Sequence, residues 1–399
     1  MGYPKIGNLL YSFTNMRILY DYQAFLMQSH GGVSKCFVEL ISNLPDHVQF
    51  QIGIKESDNI YLEESGLVPN LCKCSKTVNN FIFNHNFRGK SRLFNWINAN
   101  IHFYRSSLNI NRNYAIELIK QTDYDVFHPT FFDPYFLNVL GNKPFVLTVH
   151  DMMPELFPQY YSTNDGQIIN KRLLSQKASH IITVSEQTKK DLIRILHIPD
   201  DKISVVYHGS PINRGKFFPA IISGKYLLYV GGRFTYKNFL LFIKSFAEIS
   251  QYYLDLKVVF TGEPFTKKEM KLIKSLNIYD RVIHLFVNDS QMCNLYQHAT
   301  AFIYPSLYEG FGLPILEAFT NECPVLLNKK SCFPEIAGEA ALYFCLDDFE
   351  NTLSPILMDF LKHEEKYSGM LRKRGRERLK YFSWKDSANR LSAIYESVL

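Results

Sequence analysis

The sequence predicts an α/β protein of two domains, each a doubly wound parallel sheet, facing one another across a cleft. Three observations carry this. The length of 399 residues exceeds the size at which one hydrophobic core stops growing. Short apolar runs alternate with helical patterns along the chain, as in parallel sheets covered on both faces. A stretch with His208, Gly209, Pro211, Gly215, Pro219 and Gly224 has the composition of an interdomain linker and divides two such series.

Taken in order, residues 1–15 are polar and irregular and read as a leader or tether. The N-terminal domain is expected over 16–215. Its strands fall at Arg17 to Tyr20, Tyr124 to His128, Pro144 to His150, His180 to Val184 and Ile203 to Tyr207, with helices near 34–44, 165–178 and 186–196. The C-terminal domain is expected over 216–382, with strands at 226–230, 256–261, 282–286, 301–304 and 325–327. The segment 383–399 is a helix with Ser383 as N-cap and Trp384, Ala388, Leu391 and Tyr395 on one face. It is a candidate to cross back to the N-terminal domain.

Composition sets bounds on function. With 46% hydrophobic and 21% charged residues the chain is ordinary globular protein, so disorder and fibrous repeats are excluded. A net charge of +6, spread along the chain, gives no reason to expect nucleic-acid binding. Seven cysteines, only Cys72 and Cys74 close together, fit neither a disulfide framework nor a zinc site, and a reducing cytoplasm is the expected compartment. No apolar window approaches the roughly 18 residues of a spanning helix, and no signal core is present.

Sheet loops at the carboxyl ends of strands are where ligands bind in such folds, so residues there are the candidates. The strongest signal runs from Tyr304 through Glu309, Gly310, Phe311, Gly312 and Leu313 to Glu317. The glycines let backbone approach a ligand, Pro314 suits the first helical turn, and the free amides of that turn stabilise a diphosphate. Two carboxylates on this segment suit vicinal hydroxyls at both ends of one bound molecule. Alone, either glutamate would read as a cap or a surface residue; occurring with the glycines and the proline, they mark a site.

The second signal is Gly231-Gly232-Arg233 leading to Lys237, where two cations can neutralise a leaving β-phosphate in place of a metal ion. The third is Gly31-Gly32 in the first strand-to-helix turn, which lacks the full dinucleotide spacing and so argues against a dehydrogenase. The fourth is His150-Asp151 at a strand end, where His150 can assist chemistry and Asp151 can orient it. His128, Asp151 and Ser185 are the candidates for an acceptor side.

Assembled, these residues resemble the retaining glycosyltransferases of family 4, with the two-domain GT-B architecture of Rossmann-like units. The resemblance runs from Met16 to Leu399 and rests on Glu309 and Glu317 with seven residues between them, the Gly-Gly-Arg-x-x-x-Lys-Asn turn, the Gly-Gly-Val-Ser loop and the Thr-Val-His-Asp strand end. It implies a catalytic set of His150, Glu309, Lys237 and Arg233. Glu317 would hold the nucleotide ribose and Glu309 the hydroxyls of the transferred sugar. Arg233, Lys237 and amides around Gly312 and Leu313 would bind the diphosphate, with Gly31, Gly32, Gly232, Gly310 and Phe311 completing the donor site. It further implies retention of anomeric configuration with no enzymic nucleophile, no metal and no cofactor, the nucleoside-diphosphate sugar being a substrate.

The run from His150 to Pro158 looks like that of bacterial polysaccharide mannosyltransferases, which makes GDP-mannose the expected donor and a glycan or lipid-linked oligosaccharide the expected acceptor. Work at the inner face of the membrane would fit, and Phe87 to Arg105 mixes cations with aromatics as interfacial helices do, although a helix packed on its own domain is the plainer reading. The basic run Arg372 to Lys380 reads as an exposed helix face. Two other functions stay open on this fold: a sugar-nucleotide epimerase, and a non-catalytic nucleotide-sugar-binding protein.

Overall fold

A computed structural model describes residues 15–74, 107–162, 165–211, 219–233, 235–345 and 352–399. Residues 1–14 of the leader, the Phe87 to Arg105 segment and Gly215 of the linker lie outside the described residues. Twelve strands are described: β1 (Met16–Tyr20), β2 (Val48–Ile52), β3 (Val126–His128), β4 (Val146–Val149), β5 (His180–Thr183), β6 (Ile203–Val205), β7 (Tyr226–Tyr229), β8 (Lys257–Thr261), β9 (Val282–Leu285), β10 (Ala301–Tyr304), β11 (Val325–Asn328) and β12 (Leu342–Phe344).

β1 lies between β2 and β3, parallel to both, with Met16 opposite Val48 and Ile18 opposite Val126. β4, β5 and β6 form a second sheet in that order, and the Phe127 amide donates to the Pro144 carbonyl at 3.0 Å beside it. β7 to β12 form a six-stranded sheet, all pairs parallel, in the order β12-β11-β10-β7-β8-β9. That is the order of a doubly wound dinucleotide-type sheet. The strand order reverses between β7 and β10, with later strands added on opposite sides of this pair, so the crevice outside the carboxyl ends of these two strands is the topological switch point.

Two compact units are present. The first gathers the described parts of Met1–Thr148 with Ile169–Ile181 and Ala388–Leu399; the second holds Val149–Ile168 and Ile182–Ser387. In the second, period-2 alternation sends Tyr226 and Leu228 of β7 to one core and Leu227 and Tyr229 to the other. The first core is closed by helices 313–320 and 333–337, the second by helices 239–249 and 353–362. All four residues are essentially inaccessible, which is why the strand reads as an unbroken apolar run.

In the first unit, Tyr395 of the last helix (Trp384–Ser397) buries its hydroxyl 2.7 Å from that of Tyr20 and 2.6 Å from Nδ1 of His128. Trp384, Ala388, Leu391 and Tyr395 are all buried, and Ser383 caps the helix by accepting from the Asp386 amide at 3.2 Å. Strands β2 and β12 and the helix 107–121 are additions to the elements the sequence predicts. β2 reads Val-Gln-Phe-Gln-Ile and exposes its three central residues, so its apolar signal is weak.

Candidate active site

The loops leaving β7 and β10 carry the two strongest sequence motifs, and both flank the switch point of the second unit. After β10 the chain runs from Pro305 to Gly312 and enters the helix Leu313–Thr320 with Pro314 in its first turn. Gly312, the N-cap, has φ +90°, a conformation that a side chain disfavours. Gly310 is demanded by space instead. A β-carbon there would overlap the carbonyl oxygen of His150, the residue that follows β4.

Ser185 and Thr188 hold the same loop. The Ser185 hydroxyl donates to the Gly310 carbonyl at 2.6 Å and accepts from the Thr188 amide at 3.1 Å, capping the helix Glu186–Leu196, while Thr188 Oγ1 donates to Gly310 at 3.3 Å. Ser185 is fully buried. It supports the β10 loop through the Gly310 carbonyl. The Glu335 carboxylate accepts from the amides of Glu186 and Gln187 at 2.7 and 3.1 Å, satisfying two orphan donors of that helix.

Glu309 is clamped through its backbone. Its amide donates to Ser331 Oγ at 3.2 Å, and its carbonyl accepts from Ser331 Oγ at 2.7 Å and Cys332 Sγ at 3.2 Å; that thiol also lies 3.1 Å from the Phe311 carbonyl. The clamp holds Ser331 at φ +56°, a cost of order 1 kcal/mol for a residue with a β-carbon. The Glu309 carboxylate meets Lys237 Nζ at 2.6 Å, both side chains being less than a fifth exposed. Lys237 also lies 5.6 Å from the Tyr304 ring centre and 5.7 Å from that of Tyr236.

The β7 loop is closed by Tyr229, whose hydroxyl lies 3.2 Å from the carbonyls of both Gly232 and Lys237. The Leu307 amide donates to the Tyr236 carbonyl at 2.8 Å, so the two loops are tied to each other. Arg233 behaves differently from Lys237. Its side chain is 4% exposed and turns into the loop after β8, pairing with Glu269 at 2.9 Å. Glu317, one turn into its helix, accepts from the Tyr296 hydroxyl at 3.2 Å. Phe311 is buried against the rings of His208, Tyr207 and Phe382. Leu313 packs at the edge of the same core. Burial pushes the His208 imidazole well below its ordinary range and the neighbouring His150 ring adds to this, so His208 is neutral at neutral pH.

Asp151 accepts from the Met153 amide at 2.9 Å ahead of the short helix Met153–Leu156. Gly31 caps the helix Gly32–Ser42 in the first unit with an extended backbone, and its carbonyl accepts from Lys35 N at 3.0 Å. His128, the first of the acceptor-side candidates, lies in the core of the first unit. It is fully buried at the end of β3, with Nδ1 bonded to Tyr395 and Nε2 2.9 Å from Thr148 Oγ1, and it packs on the rings of Tyr20 and Phe37. The basic run Arg372 to Lys380 is only partly a solvated face, since Arg378 Nε donates to the Ile336 carbonyl at 2.8 Å. The residues that sequence reasoning missed are the supports: Tyr229, Tyr296, Ser331, Cys332 and Glu269. Apart from Tyr229, which opens the β7 motif, none stands beside the motif residue it holds, so no local pattern marks it.

Residues 31–214 match the family described as Glycosyltransferase Family 4, and residues 217–378 match that described as Glycosyl transferases group 1. The chain is similar to the O-antigen chain mannosyltransferase RfbU of Salmonella typhimurium, 29% identical over 231 residues that make up 54% of this chain and 65% of the relative. The match therefore spans just under two thirds of that relative's length. O-antigen chain mannosyltransferase B of Escherichia coli is 25% identical over 301 residues, 71% of this chain and 77% of the relative. Among solved structures, Anabaena HepE in complex with UDP and glucose superposes with a TM-score of 0.71 at 15% identity, covering 96% of this chain and 100% of that one. Sucrose-phosphate synthase of Thermosynechococcus elongatus follows with a TM-score of 0.65 at 17% identity, over 96% of this chain and 99% of that one. No helix among the described residues is long and apolar enough to cross a membrane.

Proposed function

The chain belongs to glycosyltransferase family 4 and has the GT-B fold, and from that premise we propose that it transfers a hexose from a nucleoside-diphosphate sugar to a glycan or lipid-linked acceptor, with retention and without a metal ion. The observation that carries this reading is the convergence of the β7 and β10 loops at the switch point on one ion pair, Lys237 with Glu309. A sheet of this order binds nucleotides there.

In this reading each residue meets a different part of the donor. Lys237 and the free amides at the start of helix 313–320 stabilise charge as it gathers on the departing diphosphate, at the positive end of the helix dipole. Glu309 accepts from hydroxyls of the hexose, and Glu317, oriented by Tyr296, accepts from those of the ribose. His150 lies beside the hexose, its backbone seated against Gly310. The acceptor oxygen attacks the anomeric carbon from the face the leaving group vacates. Its proton passes to the leaving phosphate oxygen, so retention needs no nucleophile from the chain. Mannose from GDP-mannose is the proposed donor because two relatives are named as mannosyltransferases. A lipid-linked acceptor would place the work at the cytoplasmic face of a membrane.

Incubation with GDP-mannose alone, followed by proton NMR, tests the chemistry. Slow hydrolysis is expected, with the first-formed free mannose carrying the anomeric configuration of the donor. The opposite anomer would contradict retention, and an isomerised but intact nucleotide sugar would replace transfer with epimerisation.

A further inference from the structure

We propose that Glu269 is a positioning residue, holding the Arg233 guanidinium so that its Nη1 edge is the part presented to the donor diphosphate. This rests on the reading of the second unit as the donor-binding part of the chain. A guanidinium carries five N–H donors in a rigid plane. In Arg233, Nε donates to Glu269 at 2.9 Å, and Nη2 donates to the carbonyls of Glu263 at 2.7 Å and Pro264 at 2.8 Å. The guanidinium carbon lies 4.6 Å from the centre of the Phe265 ring. Three donors are thus committed and the plane is fixed. Nη1 is buried and has no hydrogen-bond partner among the described residues. Buried N–H groups on a cation are costly unless acceptors meet them, and an anionic phosphate oxygen is such an acceptor.

Glu269 has the means to impose this. It is the third residue of the helix Lys267–Ser275, and its Oε2 accepts from the Thr266 amide at 2.6 Å while its own amide donates to Thr266 Oγ1 at 3.2 Å. Such a capping box needs one carboxylate oxygen. The other, Oε1, is spent on Arg233, 36 residues earlier in the chain. The β7 and β8 loops approach closely enough for this contact because two glycines face each other. A β-carbon on Gly262 (φ +94°) would lie 3.0 Å from the Gly231 carbonyl oxygen. Glu269 therefore supplies the negative charge and the fixed acceptor that set the direction of Arg233 at the end of β7.

Titration calorimetry of the full chain with GDP and GMP, and with UDP and UMP as a second pair, reads the effect of the β-phosphate as an affinity ratio. For Glu269→Gln, which keeps the cap acceptor but loses the charge, the diphosphate is expected to bind about tenfold more weakly, as for loss of one charge-assisted contact. The monophosphate should stay within about twofold, and Arg233→Ala combined with Glu269→Gln should be no worse than Arg233→Ala alone. Thr266→Ala, which breaks the cap and leaves Arg233 in place, should keep the wild-type ratio. A Glu269→Gln ratio equal to wild type, beside a lowered ratio in Arg233→Ala, would overturn the role of Glu269 and leave the donor site standing. Tighter diphosphate binding in Glu269→Gln would overturn it too, showing competition for the arginine. A wild-type ratio in Arg233→Ala would overturn the diphosphate assignment itself.

Discussion

Glu309→Ala and Lys237→Ala are each expected to lower transfer at least about a hundredfold, equivalent to about 2.7 kcal/mol of transition-state stabilisation. The two side chains form one partly buried pair 2.6 Å apart at the switch point. Removing either also leaves the other as an uncompensated charge in a mostly buried position, so the effect includes a misplaced survivor. For that reason the double variant should lose little more than the worse single one. Glu309→Gln keeps an acceptor for a hexose hydroxyl and should fall between wild type and Glu309→Ala. Steady-state turnover with saturating donor checks all four variants, with melting temperatures to show that they fold. Near-normal turnover in either alanine variant would remove the pair from the chemistry.

Gly310→Ala is the second large effect, and its cause is steric. The new methyl group would overlap the His150 carbonyl, a backbone atom that cannot swing aside. The loop must therefore lift, straining the Ser185 and Thr188 bonds to the Gly310 carbonyl. Overpacking of this kind costs about 1–3 kcal/mol. Because Glu309 is the adjacent residue, a displacement near 1 Å should lower turnover on the order of a hundredfold even in the folded fraction. A lower melting temperature together with lost activity is expected; a variant matching wild type in both would show that the loop does not rest on His150.

Much of the second unit's fold was legible in the sequence because its signals are local. A parallel strand buried on both faces must be apolar throughout, so Tyr226 to Tyr229 and Ala301 to Tyr304 announce themselves. Gly312 and Pro314 mark the start of helix 313–320 by their own backbone chemistry. The short strand β12 carries three residues of which two are only partly buried, too little pattern to separate from a loop. The candidate site divides along the same line. Its motif residues are contiguous, whereas what each one touches depends on the fold. Nothing near Arg233 in sequence shows that its guanidinium is wrapped by Glu269 and the carbonyls of Glu263 and Pro264. Likewise, a histidine ending a strand looks the same in sequence whether it faces a ligand or, as His128 does, sits between two hydroxyl groups in a core.

Whether the switch point of the second unit takes a nucleoside-diphosphate sugar is answered by a thermal-shift panel of GDP, UDP, dTDP and ADP with their common sugars. A ligand that binds only the folded chain at a hundredfold excess over its Kd stabilises it by about 2.7 kcal/mol. A raised melting temperature with GDP and GDP-mannose, lost in Lys237→Ala, is expected. A response to UDP or dTDP alone would replace the donor and keep the site. No response to any nucleotide would show that the switch point is not a nucleotide site.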